Sequence, residues 1–156
     1  MKLTLVAVGT RMPTWVTAGY NEYAARMPRE CRLELRELPL GRQRRSGDVA
    51  RAVSDEGKRM LTAVGDSDYV VALDVAGKKL DTNDLAVLLR DWMQLGRNVS
   101  LLIGGPDGLA ESCYARSDLR LSLSPLTLPH TIARILISEQ LYRAWSILRN
   151  HPYHRE

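Results

Sequence analysis

Residues 3–8 form a continuous apolar run, the signature of a strand buried on both faces. Apolar side chains then recur at helical spacing at Val16, Tyr20, Tyr23, Ala24 and Met27. Thr10 is the expected N-cap of that helix, Pro13 a first-turn residue and Pro28 its stop. Over 32–38 the pattern alternates, with Leu33 and Leu35 on one face and Arg32, Glu34 and Arg36 on the other. This predicts a strand with a wet face, near a sheet edge. A second helix, capped by Ser46 or Asp48, carries Val49, Ala52, Val53, Met60 and Leu61, and Gly57 in its middle costs about 1 kcal/mol of helix propensity against Ala. Residues 69–73 and 99–103 read as central strands. The first is followed by a turn over 74–79 and by a helix that Asp81 or Thr82 caps, with Leu85, Leu88, Leu89 and Trp92 on one face. A short helical segment over 109–115 leads to an alternating strand at 119–123.

The C-terminal stretch departs from this rhythm. Ile132, Ile135, Leu136, Ile137, Leu141, Tyr142, Ala144, Trp145, Ile147 and Leu148 cover far more of a helix than one docking stripe requires. Such a helix must be covered on two sides. Either it is the central core helix of one chain, or a second copy packs against it about a two-fold axis, and the small size of the chain favours the second. Pro152 biases His151 away from helical geometry, so the helix should end near Asn150. The rest, His-Pro-Tyr-His-Arg-Glu, is an extended strip able to reach about 20 Å.

Strand and helix alternate throughout, which predicts an α/β fold: a mostly parallel sheet with helices on both faces, in one domain over 1–156. At 156 residues the chain can bury a proper core. No apolar run approaches a membrane span, and no secretory signal opens the chain, so a cytoplasmic protein is expected. Cys31 and Cys113 lack CxxC spacing and read as ordinary buried thiols, and His151 and His154 have no third ligand nearby, so no metal site is expected. The net charge of +4 favours an anionic partner, and the glycine-bounded basic loop with Arg42, Arg44 and Arg45 is the segment best suited to phosphates.

In parallel sheets the ligand lies outside the carboxyl ends of the strands. Loops 73–79, 104–108 and 123–129 leave such ends; two bear glycines and the third has Ser124, Thr127 and two prolines. Small residues let backbone approach a ligand closely and expose groups that can bond an adenine or an amino-acid end. There is no GxGxxG after the first strand, no phosphate-loop GK[ST] after Gly104 and no GxSxG.

The segments Leu-Ile-Gly-Gly-Pro-Asp-Gly at 102–108, Leu-Ser-Pro-Leu-Thr-Leu-Pro-His at 123–130 and the terminal Asn-His-Pro-Tyr-His-Arg-Glu closely resemble the ribosomal large subunit methyltransferase H family, of the SPOUT class. The similarity runs the full length, from the opening Met-Lys-Leu onward. It implies a C-terminal deep trefoil knot and a homodimer formed through the knotted region. It also implies S-adenosylmethionine held by backbone at Leu73, Gly104 and Gly105, and Leu123, Ser124, Pro125, Leu126, Thr127 and Leu128. The implied reaction is methylation of N3 of a pseudouridine in the inter-subunit hairpin of 23S rRNA, on the assembled ribosome.

Such a reaction needs the methyl donor aligned with the ring nitrogen and the imide proton removed, or the ring anion stabilised. The candidates are His130, Glu139 and Arg143 on the long helix, and Tyr153, His154 and Arg155 in the tail, completing the cleft of their own or the partner subunit. Against these roles, Glu139 and Arg143 stand at i and i+4 as an ordinary helix ion pair would. His130 beside Pro129 could simply satisfy the helix start. Two rival readings share parts of this pattern. A non-catalytic ribosome-associated RNA-binding factor would have the basic surface without the cleft, and a nucleotide hydrolase would need a metal site or an activated nucleophile.

Overall fold

The computed structural model describes residues 1–155. Five strands, β1 (Lys2–Val8), β2 (Arg32–Leu38), β3 (Tyr69–Lys79), β4 (Val99–Ile103) and β5 (Leu119–Ser122), pair in the order β2-β1-β4-β3-β5. Every pairing is parallel, because a helix carries the chain back after each strand. The helices are α1 (Thr14–Ala24), α2 (Val49–Ala63), α3 (Thr82–Leu95), α4 (Glu111–Arg116) and α5 (His130–Leu148).

Register explains the hydrophobic pattern. Leu3 stands opposite Leu33 and Val99, and Leu5 opposite Leu35 and Leu101, so these side chains share one face. That face packs on α1, α3 and α5 through Tyr20, Leu85, Leu89, Trp92, Ile137 and Leu141. The opposite face, with Val6, Val8, Val70, Ala72 and Leu102, packs on Met60 of α2 and on Leu109, Ala110 and Cys113 at α4. β1 is thus covered on both sides, while β2 is an edge strand whose alternating charges face solvent.

Several local expectations change. Thr10 does not cap α1, because Pro13 occupies the N-cap position and no side chain bonds there. Asp48, not Ser46, caps α2, and Asp81 caps α3 in a capping box with Asp84. The expected turn over 74–79 is the second half of β3. Leu73 and Lys78 both stand opposite Leu121, so 74–77 bulge out of the ladder, and Asp74 and Gly77 mark the bulge rather than the strand's end. The tail is not an extended strip. Asn150 adopts a left-handed φ of 52°, and Pro152–Arg155 form a 3₁₀ turn folded back on α5, with His151 N donating to Ser146 O at 2.8 Å.

α5 is covered within its own chain to a large extent. It packs on the sheet and against both α1 and α3, burying Ala133, Ile137, Leu141, Tyr142 and Ala144. Ile132, Ile135, Leu136, Trp145 and Ile147 stay half-buried, so the all-round apolarity answers first to a central position in the core. Gly57 likewise has a packing reason: a Cβ there would lie 2.4 Å from the Ala110 Cβ, so α2 and α4 approach closely because the side chain is missing.

Gly57→Ala should therefore destabilise the protein despite better helix propensity. Overpacking of this kind costs about 1–3 kcal/mol against about 1 kcal/mol gained, and a lower urea midpoint is expected. A higher midpoint would show that the interface has room to spare.

Candidate active site

Where β3, β4 and β5 end, their loops enclose a cleft of about 230 Å³. Leu73, Asp74 and Val75 form one wall, Ile103 to Pro106 with Gly108 a second, and Leu123, Ser124, Leu126, Thr127 and Leu128 a third. His130 and Ala133 of α5 and Tyr114 of α4 complete it. The β4 loop can be this tight only with glycine: a Cβ on Gly104 would lie 2.5 Å from the Gly108 backbone. The β5 loop is held by its own hydroxyls, with Ser122 Oγ donating to Ser124 O at 3.0 Å and Leu126 N donating to Ser124 Oγ at 2.9 Å. Pro125 sits in that turn, exposed, and does not line the cleft. Asp74 is the one carboxylate among the lining residues.

His130 opens α5 at the cleft. Its Nδ1 is buried and has no hydrogen-bond partner among the described residues. Burial, and then the neighbouring Arg134 guanidinium, lower its pKa below the ordinary 6.5, so the imidazole is neutral and one nitrogen is available. Arg134 is itself buried, 1% exposed, and gathers three chain segments. Its Nη1 donates to Glu37 at 2.6 Å, and its Nη2 to Gly9 O at 2.8 Å and Val8 O at 3.3 Å. Reading by motif passes over Arg134. The signal was a lone cation inside the apolar run Ile132-Ala133-Arg134-Ile135, since a charge there must be paired.

A second cluster lies further along α5. Glu139 Oε1 accepts from Arg143 Nε at 2.8 Å and from Tyr153 Oη at 2.9 Å, while its Oε2 accepts from Gln140 at 2.7 Å. The Arg143 guanidinium lies 4.9 Å from the Tyr153 ring centre, and that ring lies 4.6 Å from Tyr142. Burial, and then the bond to Glu139, hold the Tyr153 phenol well above its ordinary range. It is a proton donor, not a phenolate. His154 Nδ1 is buried without a partner among the described residues, and Arg155 is exposed. The fold therefore joins Glu139, Arg143 and Tyr153 but separates them from His130. Nine helical steps, about 14 Å at the usual rise, separate His130 from Glu139, and none of the described tail residues lines the cleft of its own chain.

The basic loop is a 3₁₀ turn, Arg42–Ser46. Arg42 and Arg45 are exposed, as a phosphate contact requires. Arg44 is not: its guanidinium is paired with Glu56 at 2.5 Å and with Asp107. Both cysteines are buried free thiols, and burial pushes Cys31 up to about 12, which makes it inert. Among the described residues no group of His, Cys, Asp or Glu could hold a metal ion.

A histidine whose folded pKa is lowered binds its proton more readily in the unfolded chain. Its share of stability is present above pH 6.5 and is lost as the pH falls below that value. In His130→Gln, the fall in unfolding free energy between about pH 7.5 and about pH 5.5 should be smaller than in the parent, read by urea titration. An equal fall in both proteins would contradict the neutral, buried imidazole.

Known proteins agree with this architecture. The family described as "Predicted SPOUT methyltransferase" matches residues 1–154. Proteins named "Ribosomal RNA large subunit methyltransferase H" from Methylococcus capsulatus and Thioalkalivibrio sulfidiphilus are each 53% identical, covering 99% and 100% of this chain and 100% of theirs. One from Saccharophagus degradans is 54% identical over 99% of this chain and 100% of its own. Among solved structures, a probable methylase family protein from Haemophilus influenzae superposes with a TM-score of 0.61 at 12% identity, over 97% of this chain and 69% of that one. A putative methyltransferase from Legionella pneumophila, solved with bound SAM, gives 0.51 at 12% identity, over 92% and 66%. At such identities the likeness speaks for the fold alone. Full-length relatives at more than half identity, together with a family match to nearly every residue, place the chain in the SPOUT methyltransferase family.

Proposed function

We propose that this protein is an S-adenosylmethionine-dependent rRNA methyltransferase, modifying N3 of a pseudouridine in the inter-subunit hairpin of 23S rRNA on the assembled ribosome. The observation that carries the reading is the backbone-lined cleft at the ends of β3, β4 and β5, with a neutral histidine at its edge. The relatives' shared name supplies the substrate class. In this reading one SPOUT domain, with the C-terminal segment threaded in a deep trefoil knot, works as a cytoplasmic homodimer. The return of α5 from the β5 edge to a place between α1 and α3 supports the threading. None of the helices among the described residues is long and apolar enough to cross a membrane.

The cleft suits a nucleoside-like donor. Its Gly104–Gly105 and 123–128 walls offer backbone groups at close approach, apolar Leu73 and Leu128 can flank an aromatic base, and Asp74 can meet a cationic or hydroxyl-bearing end. When bound, S-adenosylmethionine supplies an electrophilic methyl group. The protein's own task is to align the ring nitrogen and to manage its proton. His130 places a neutral imidazole at the cleft edge, its Nδ1 buried and unbonded. The Tyr153 phenol donates rather than accepts a proton, and Arg143 and Arg155 supply cations for a developing ring anion. Glu139, occupied by three donors, orients Arg143 and Tyr153.

The distance between His130 and the tail supports a shared site. A second copy packed antiparallel across the half-buried Ile132 and Leu136 would bring its Tyr153, His154 and Arg155 toward this cleft. Deleting residues 153–156 should abolish methyl transfer to ribosomes, measured with a labelled donor, while donor affinity by calorimetry changes little. Full activity of the truncated protein would refute the role of the tail. Replacing Arg42 and Arg45 with Ala should weaken ribosome binding and lower its salt slope by about 1 per residue. A slope equal to the parent's would remove the loop from the interface. A non-catalytic binding factor, the rival reading, would take up no S-adenosylmethionine in the same calorimeter.

A further inference from the structure

Arg44 sits in a stretch otherwise fit for phosphates, yet its environment is that of a structural strut. Its side chain is 16% exposed and that of Glu56 only 3%. Nη2 donates to Glu56 Oε1 at 2.5 Å and Oε2 at 2.9 Å, and Nε adds a third bond at 3.2 Å. Glu56 also accepts from Gly41 N at 3.1 Å, which pins the start of the basic loop to α2. From this buried base the remaining arm of the guanidinium, Nη1, reaches Asp107. Asp107 lies between Pro106 and Gly108, both of which line the cleft, and a Cβ on Gly105 would lie 3.6 Å from Arg44 Nη2.

Loop 104–108 folds tightly on itself, with Gly105 and Gly108 bridged. Gly108 N donates to Gly105 O at 3.1 Å within the loop, and three of its five residues are glycines, which carry the largest conformational freedom in a chain. An arginine anchored on a buried carboxylate is well suited to restrain such a loop, since its planar fork holds two carboxylates in fixed geometry where the ammonium of a lysine is a rotatable point charge. We propose that Arg44 is a positioning residue for the donor cleft: braced by Glu56, it fixes the wall over 104–108 through Asp107, while Arg42 and Arg45 on the same turn face the nucleic acid. This rests on the methyltransferase reading for the identity of the ligand. The strut itself is a property of the free protein.

Arg44→Ala alone would strand the buried Glu56 charge and could fail to fold. The test therefore uses Asp107→Asn, whose side chain is 43% exposed, and the paired replacement Arg44→Gln with Glu56→Gln. Amide hydrogen exchange at 105–108 should be several-fold faster in both variants, with the urea midpoint of Asp107→Asn unchanged. Their affinity for S-adenosylmethionine, by calorimetry, should fall about 3- to 10-fold, a modest coupling. The salt slope of binding to 70S ribosomes should match the parent's in both. Unchanged exchange at 105–108 overturns the strut whether or not the donor binds. Faster exchange with unaltered donor affinity overturns its link to the cleft, and a slope lowered by about 1 in the Arg44 variant makes that residue a phosphate contact instead. If the parent protein bound no S-adenosylmethionine, the methyltransferase reading would fall, and the exchange rates would still decide the strut.

Discussion

A guanidinium buried to 99% needs partners, and the ones Arg134 finds determine where α5 can lie. Taking an arginine out of water is costly, so its bonds to Glu37 and to the carbonyls of Val8 and Gly9 must all be kept. Those partners sit at the carboxyl ends of β2 and β1. The start of α5 is thereby seated at the same end of the sheet as the loops leaving β3, β4 and β5, and His130, one turn before Arg134, reaches the cleft edge. The rest of the helix follows, with Ile137 and Leu141 in the core beneath α1 and α3.

With the helix fixed, small residues shape the remaining space. Gly104 keeps the β4 loop against Gly108, and the bulge at 74–77 turns Asp74 and Val75 from ladder positions into a wall. On this scaffold the electrostatics divide along α5. The first residue carries a neutral imidazole whose Nδ1 is buried and unbonded, and the middle of the helix a carboxylate bonded by Arg143, Gln140 and Tyr153. The two groups are held apart in one chain, and the fold brings no described residue of the tail to the cleft.

The basic loop shows how position outweighs composition. Arg42, Arg44 and Arg45 are chemically alike in the chain, yet a turn of 3₁₀ helix directs the middle one inward to Glu56 and Asp107 and the others outward. A residue fifteen places from Gly41 and another beyond α3 and β4 are what distinguish them.

The linear order of residues was enough to specify the five strands and their helices, the edge character of β2, the parallel sheet and the three loops at its carboxyl end. These follow from periodicity and chain direction, which are local properties. The nine expected donor-contacting residues came from the family resemblance, and the linear order itself said only that a ligand lies at the strand ends, where eight of the nine line the cleft. What it left open were choices made by distant partners: the bulge that extends β3 along β5, the left-handed Asn150 that folds the tail onto α5, the pairing of Arg134 and Arg44, and the burial of α5 between α1 and α3. Each depends on a contact between segments far apart in the chain, and the energy of such a contact exists only once the sheet has brought them together.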